Sequence, residues 1–181
     1  MPMRNVVLIG MTGTGKSTVG RLVAEALGWP HVDTDERIEA VTGRTIAELF
    51  AERGEAGFRQ WEHDVLREVL KGEGQVVSTG GGVVLRPDNV ALLRDGQFVV
   101  ALAAEPETLV RRLQGDASRH RPLLAGDVEA QIRKLIRERR GLYDFAHARI
   151  ATDNRLPQEV AAEIVQLYRA RTNAQVTGRP Y

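Results

Sequence analysis

The residues Gly10-Met11-Thr12-Gly13-Thr14-Gly15-Lys16-Ser17-Thr18 stand directly behind the apolar run Val6-Val7-Leu8-Ile9. Their spacing is G-x-x-x-x-G-K-[ST], a phosphate-binding loop when a strand precedes it and a helix follows. Glycines let the backbone curl around an anion with its N–H groups pointing inward, where side chains would block the approach. A helix starting near Lys16 adds the positive end of its dipole. Lys16 can reach the β- and γ-phosphates of a nucleotide, and the Ser17 hydroxyl can ligate Mg2+. A plain strand-to-helix turn needs glycine but neither the lysine nor the hydroxyl. The pattern therefore reads as the donor half of a phosphoryl-transfer site.

Four other groups have chemistry that an acceptor half would need. Asp33 and Asp35 follow a short apolar segment; one aspartate there is an ordinary helix cap, but two at a ligand edge can serve Mg2+ and a hydroxyl. Gly80-Gly81-Gly82 follow the run Gln75 to Ser78, where the backbone can lie close to a ligand or merely turn. Arg139 falls inside the apolar stripe of Val128, Ile132, Leu135 and Ile136, and a charge rarely points into a core without a partner. Glu62 falls within the stripe of Phe58, Trp61, Val65 and Leu66, with Arg59 three residues earlier, so the two can pair on one face. That pair is explained equally by a structural ion pair; two semi-buried arginines also suit bidentate capture of a carboxylate. Arg112 and Arg121 bracket or sit in a long polar stretch, each either a solvated surface arginine or a site residue. The four histidines have no metal-ligand spacing.

The elements that must position these residues alternate. Strands are expected at Asn5–Ile9, His31–Asp33, Gln75–Ser78, Phe98–Leu102 and around Arg149–Ala151. Between them helices run from Lys16 to a stop at Gly28, from Asp33 to near Gly43, from the capping box Thr45-Ile46-Ala47-Glu48 to Gly54, and from Gly57 to Lys71. Further helices run from Pro87 to Leu93, from Pro106 to about Leu113, from Val128 to about Ala146 and from Pro157 to Ala170. The stretch from Gln114 to Asp127 has neither period and reads as a functional or disordered loop. The pattern predicts a three-layer α/β/α fold with a central five-stranded parallel sheet, of P-loop NTPase type. Ligands in such folds bind at the carboxyl ends of the strands, so Gly10–Thr18, Asp33–Asp35 and Gly80–Gly82 should share one edge.

At 181 residues the chain fits one well-buried domain. A net charge of +1 points to neither nucleic acid nor membrane as a partner. The absence of cysteine excludes disulfides, thiolate metal sites and a cysteine nucleophile. No apolar stretch approaches the ~18 residues of a membrane span. A cytoplasmic monomer is expected.

With these residues in order, the chain resembles the shikimate kinases over nearly its whole length. The matching motifs are GMTGTGKST at Gly10 to Thr18, DTD at Asp33 to Asp35, GE-AG-FRQWE at Gly54 to Glu62, GGG at Gly80 to Gly82, RPLL at Arg121 to Leu124 and RERRGLY at Arg137 to Tyr143. The P-loop alone is shared with many NTPases; FR-x-x-E followed by GGG and RPLL is far more specific. The resemblance implies transfer of the γ-phosphoryl group of MgATP to the 3-hydroxyl of shikimate, giving shikimate 3-phosphate and ADP. It implies a nucleotide-binding core, a substrate-binding segment over about 33–62, a lid over about 113–125, and a frayed tail over about 171–181. Gly13, Thr14, Gly15, Lys16, Ser17 and Thr18 would hold the nucleotide, with Arg112 along the adenine. Lys16 and Arg121 would stabilise the transferring phosphoryl group, and Asp35 would hold the shikimate hydroxyls and align the acceptor. Arg59 and Arg139 would take the shikimate carboxylate, Gly80, Gly81 and Gly82 would line its pocket, and Phe50 and Phe58 would pack against its ring. Ser17 would bind Mg2+ directly and Asp33 through water. Gly141 stands where the family often has proline, a change expected to loosen that helix turn without removing Arg139. The rival readings are a kinase of another small hydroxy acid such as gluconate, and a non-catalytic nucleotide-binding module.

Overall fold

The computed structural model describes residues 3–115, 122–124 and 126–177. Five strands, β1 (Val6–Gly10), β2 (His31–Asp33), β3 (Val76–Ser78), β4 (Phe98–Ala103) and β5 (Ala148–Ala151), form one sheet in the order β2-β3-β1-β4-β5. Every pairing is parallel. Parallel strands need crossovers, and the helices provide them on both faces. These are α1 (Lys16–Leu27), α2 (Thr34–Thr42), α3 (Ile46–Val69), α4 (Pro87–Arg94), α5 (Pro106–Gly115), α6 (Val128–Glu138) and α7 (Pro157–Thr177).

Alternation along the central strands divides the core in two. Val6, Leu8, Phe98, Val100 and Leu102 pack with Val19 and Val23 of α1 and with Val160 and Ile164 of α7. Val7, Ile9, Val77, Val99 and Ala101 face the other way, onto Leu66 of α3 and Leu93 of α4. This is the period-two consequence of a strand buried on both sides, and it makes the three layers. Two smaller apolar clusters lie beyond the strand ends. Ile38, Leu49, Phe58 and Val65 join α2 to α3; Met11, Leu109, Leu113, Leu124, Ile132 and Leu135 join α5 and α6 to the loop after β1. They carry the site between them.

Three boundaries differ from expectation, each for a local reason. The two helices foreseen on either side of Gly54 are one interrupted element, α3, whose break is Gly54 at φ 65°, ψ −174°. α6 ends at Glu138, not near Ala146: Arg139 is its C-terminal cap, and Gly141 takes φ 78°, a left-handed conformation that stops the turn. The residue foreseen to loosen that helix in fact lies beyond its end. α7 continues through Thr177 instead of fraying near Arg171, since no glycine or proline interrupts the chain before Gly178. Arg121, residues 116–121 and 125 of the expected lid, and residues 178–181 of the tail lie outside the described residues.

Candidate active site

The loop after β1 is shaped by three glycines with positive φ, Gly10, Gly13 and Gly15. Gly10 is the tightest: a Cβ there would overlap the Leu102 carbonyl of the neighbouring strand. Lys16, 8% exposed, folds back so that Nζ donates to the Gly10 and Met11 carbonyls at 2.8 and 2.9 Å. Thr14 turns inward and its hydroxyl donates to the Met11 carbonyl at 2.8 Å, so its side chain braces the loop while Gly13, Gly15, Lys16, Ser17 and Thr18 line the cleft. Ser78 at the end of β3 donates to the Lys16 carbonyl at 2.9 Å and meets His31 Nε2 at 2.9 Å, tying the first turn of α1 to the sheet edge. Arg112 of α5 donates to the Gly13 carbonyl at 3.1 Å and to both Thr152 oxygens at 3.0 Å, which holds it on the rim of the loop.

Asp33 caps α2: its Oδ1 accepts from the backbone N–H groups of Asp35 at 3.0 Å and Glu36 at 3.3 Å. Those bonds orient the carboxylate so that Oδ2 accepts the Ser17 hydroxyl. A hydroxyl and a carboxylate oxygen at the mouth of a phosphate loop are hard donors. They fit Mg2+, which takes few protein ligands and completes its shell from phosphates and water. Among the described residues no cluster of three or more histidine, cysteine or acidic side chains could hold a metal by itself.

The glycine run after β3 is where the acceptor groups meet. A Cβ at Gly80 would fall 2.8 Å from Glu62 Oε1 and 3.0 Å from Asp35 Oδ1. Both oxygens are buried and have no hydrogen-bond partner among the described residues. A Cβ at Gly81 would fall 3.0 Å from the Thr12 nitrogen and 3.1 Å from Arg139 Nη1, and one at Gly82 would overlap the Arg59 guanidinium. The three glycines are therefore the wall against which Asp35, Glu62, Arg139 and Arg59 pack, with the P-loop on the far side of Gly81. Tyr143 donates to the Gly81 carbonyl at 2.6 Å and holds that wall in place. Phe50 and Phe58 stack with centroids 4.7 Å apart beneath the same cleft.

The charges are arranged unequally. Glu62 is 1% exposed and accepts from Arg59 Nη1 at 2.9 Å. Arg139 is 4% exposed, has no carboxylate within ion-pair distance among the described residues, and touches Met11 Sδ at 3.9 Å. Burial pushes the Asp35 carboxyl up to about 7, aided by the negative charges of Asp33 and Glu62 and opposed by Lys16 and Arg59. Burial also raises Glu62, against the pull of Arg59 and Arg139. A carboxyl poised near neutrality with a free oxygen is a hydrogen-bond acceptor in want of a hydroxyl.

Lys16, Ser17, Asp33, Asp35, Arg59, Gly80 to Gly82, Arg112 and Arg139 thus border one cleft of about 910 Å3, together with Phe50, Phe58 and Leu123. Sequence reasoning left out two participants. Glu62 reads from the sequence as the partner of Arg59, and so it is, but the oxygen it turns toward Gly80 shows only in the fold. Tyr143 sat within the RERRGLY motif but gave no sign of reaching Gly81.

A phosphate loop facing an acid-and-arginine pocket across the ends of a parallel sheet defines a P-loop kinase acting on a small anionic acceptor. Residues 12–169 match the family described as shikimate kinase. The chain belongs to that family and is an ATP-dependent kinase. It is 49% identical over 169 residues to the shikimate kinase of Symbiobacterium thermophilum, covering 92% of this chain and 97% of that one. Among solved structures it resembles the shikimate kinase of Acinetobacter baumannii in complex with shikimate, with a TM-score of 0.88 and 37% identity over 93% of this chain and 94% of that one. It also resembles the shikimate kinase of Aquifex aeolicus, with a TM-score of 0.79 and 33% identity over 94% and 98% of the two chains. Family membership does not favour the gluconate or binding-module alternatives.

Proposed function

We propose that this chain transfers the γ-phosphoryl group of ATP to the 3-hydroxyl of shikimate, with roles divided as follows. Asp35 accepts a hydrogen bond from the acceptor hydroxyl and aligns it; a carboxyl near 7 can also take its proton. Arg139 and Arg59 grip the acceptor carboxylate, and the backbone of Gly80 to Gly82 lies along the acceptor ring because it carries no side chains there. Phe50 and Phe58 support that ring from below. Lys16 leaves the Gly10 and Met11 carbonyls for the β- and γ-phosphates, where its charge offsets that of the transition state. Arg121 joins it, and Arg112 flanks the adenine from its hold on Gly13.

Ser17 and Asp33 are the residues that would hold Mg2+, and the ion would supply charge neutralisation at the phosphates. The chain's own residues do the positioning, which in phosphoryl transfer is most of catalysis. The same reading gives the segment over about 113–125 the part of a lid; 116–121 and 125 of it lie outside the described residues. That reading also takes the chain to act as a monomer in the cytoplasm.

The observation that carries this reading is the meeting of Asp35, Glu62, Arg59 and Arg139 on the Gly80–Gly82 wall, one residue from the phosphate loop. An ADP-release assay across shikimate, gluconate and nucleoside monophosphates tests it. Turnover is expected with shikimate; turnover on gluconate and none on shikimate would overturn it.

A further inference from the structure

The two arginines of the acceptor pocket are in different states. Arg139 has no carboxylate within ion-pair distance among the described residues, whereas Arg59 has two. Arg59 Nη1 donates to Glu62 at 2.9 Å and Nη2 to Glu55 at 3.1 Å. These two partners are not equivalent. The Glu62 side chain is 1% exposed and that of Glu55 50%, so the first pair is locked in the interior and the second sits at the rim. Arg59 Nε is meanwhile buried with no partner among the described residues. An unpartnered Nε–H beside an Nη2 held by an exposed acid forms a donor pair suited to gripping one carboxylate with two N–H bonds.

We propose that Glu55 is a stand-in for the acceptor's carboxylate. It holds Arg59 Nη2 while the pocket is open and yields it when the acceptor's own carboxylate arrives between Arg59 and Arg139. The idea rests on the assignment of Arg59 to that carboxylate. Three features of the chain support the exchange. The non-helical Gly54 immediately before it makes Glu55 the first residue of a new helical stretch, so no preceding turn locks its side chain. An exposed i,i+4 ion pair is weak, while a carboxylate shared by two largely buried guanidinium groups is held by charge-assisted bonds, so the exchange is downhill. Finally, a neutral acceptor has nothing to exchange for Glu55 and meets an Arg59 that is already capped. Glu55 is then a built-in competitor that tunes affinity for charged acceptors: a carboxylate-bearing acceptor must displace one partly exposed ion pair, and a neutral one need not.

The ordinary alternative is an acid placed at a helix start for the dipole, with an incidental i,i+4 bond. Steady-state kinetics of Glu55→Gln on shikimate and on its neutral methyl ester separate the two. The exchange predicts that KM for shikimate falls about two- to fivefold, the scale of a lost partly exposed pair. KM for ATP, kcat and KM for the ester stay unchanged. An unchanged KM for shikimate, a rise in it, or equal shifts for acid and ester would each overturn the exchange. Arg59→Ala serves as the control: if it leaves KM for shikimate unmoved, the assignment of Arg59 itself fails; if it raises that KM while Glu55→Gln does nothing, only the exchange fails.

Discussion

The Tyr143 hydroxyl donates to the Gly81 carbonyl across 2.6 Å, joining residues 62 apart in sequence. Gly81 is the peptide that separates the Thr12 nitrogen of the phosphate loop from Arg139 Nη1 of the acceptor pocket. One hydrogen bond therefore sets the partition between the donor and acceptor halves. Tyr143→Phe leaves that carbonyl without its donor, at a cost of about 1 kcal/mol. We expect a raised KM for shikimate with KM for ATP little changed. Equal rises for both substrates would show that the bond supports the fold alone.

Asp35 carries two linked expectations. Asp35→Asn keeps the shape but loses the acceptor for the hydroxyl proton, so turnover should be abolished while ADP binding, measured by calorimetry, persists. Near-normal turnover would remove Asp35 from the chemistry.

The raised pKa of Asp35 also fixes the sign of a pH effect. Its folded value of about 7 lies above the ordinary carboxyl value of 3.8, so folding disfavours its ionised form. The stability this group contributes is fully present below about 4 and is lost as pH rises toward and through 7. Asp35→Asn should therefore raise the melting temperature of the ligand-free protein, and by more at pH 8 than at pH 5. A gain that is the same at both pH values would contradict the shift. In the wild type, kcat/KM for shikimate should fall by up to about tenfold per pH unit below 7, since the free enzyme's essential base is then protonated.

Arg139 is buried, and among the described residues no carboxylate lies within ion-pair distance of it. Hydrogen bonds to charged groups contribute about 1.5–3 kcal/mol, so Arg139→Ala should raise KM for shikimate by roughly 10- to 150-fold. Binding of ADP should be spared. Loss of both in parallel, with a lower melting temperature, would mark Arg139 as a packing residue.

Gly80→Ala tests the wall directly. The new methyl would sit 2.8 Å from Glu62 Oε1 and 3.0 Å from Asp35 Oδ1, in the space offered to the acceptor hydroxyls. Shikimate affinity should collapse while nucleotide binding remains. Retained affinity would mean that the acceptor does not approach this face of the glycine run.

What could be read from the chain alone was whatever is encoded locally. The phosphate loop is nine consecutive residues, the capping box at Thr45 and Glu48 spans four, and the five strands and the parallel order they imply follow from apolar runs set between helical periods. Arg139 could be singled out because helical phase places it in an apolar stripe, even though α6 ends one residue before it. That ending was not legible, because Gly141 reads equally as a weak helix residue and as a left-handed stop; in the folded chain its φ of 78° makes it the stop. The reach of α7 to Thr177 was missed because helix propensity without an apolar face gives little signal. The chemistry of the acceptor pocket was beyond local reading for a different reason. That Asp35 and Glu62 turn buried oxygens toward Gly80, that Glu55 occupies Arg59 while Arg139 meets no carboxylate at ion-pair distance among the described residues, and that Tyr143 pins Gly81 are contacts between α2, α3, the end of β3 and the turn after α6. Sequence supplies the residue types; which oxygen is desolvated and which guanidinium is already paired are properties of the space those elements enclose, and they exist only once the parallel sheet has brought its strand ends to one edge.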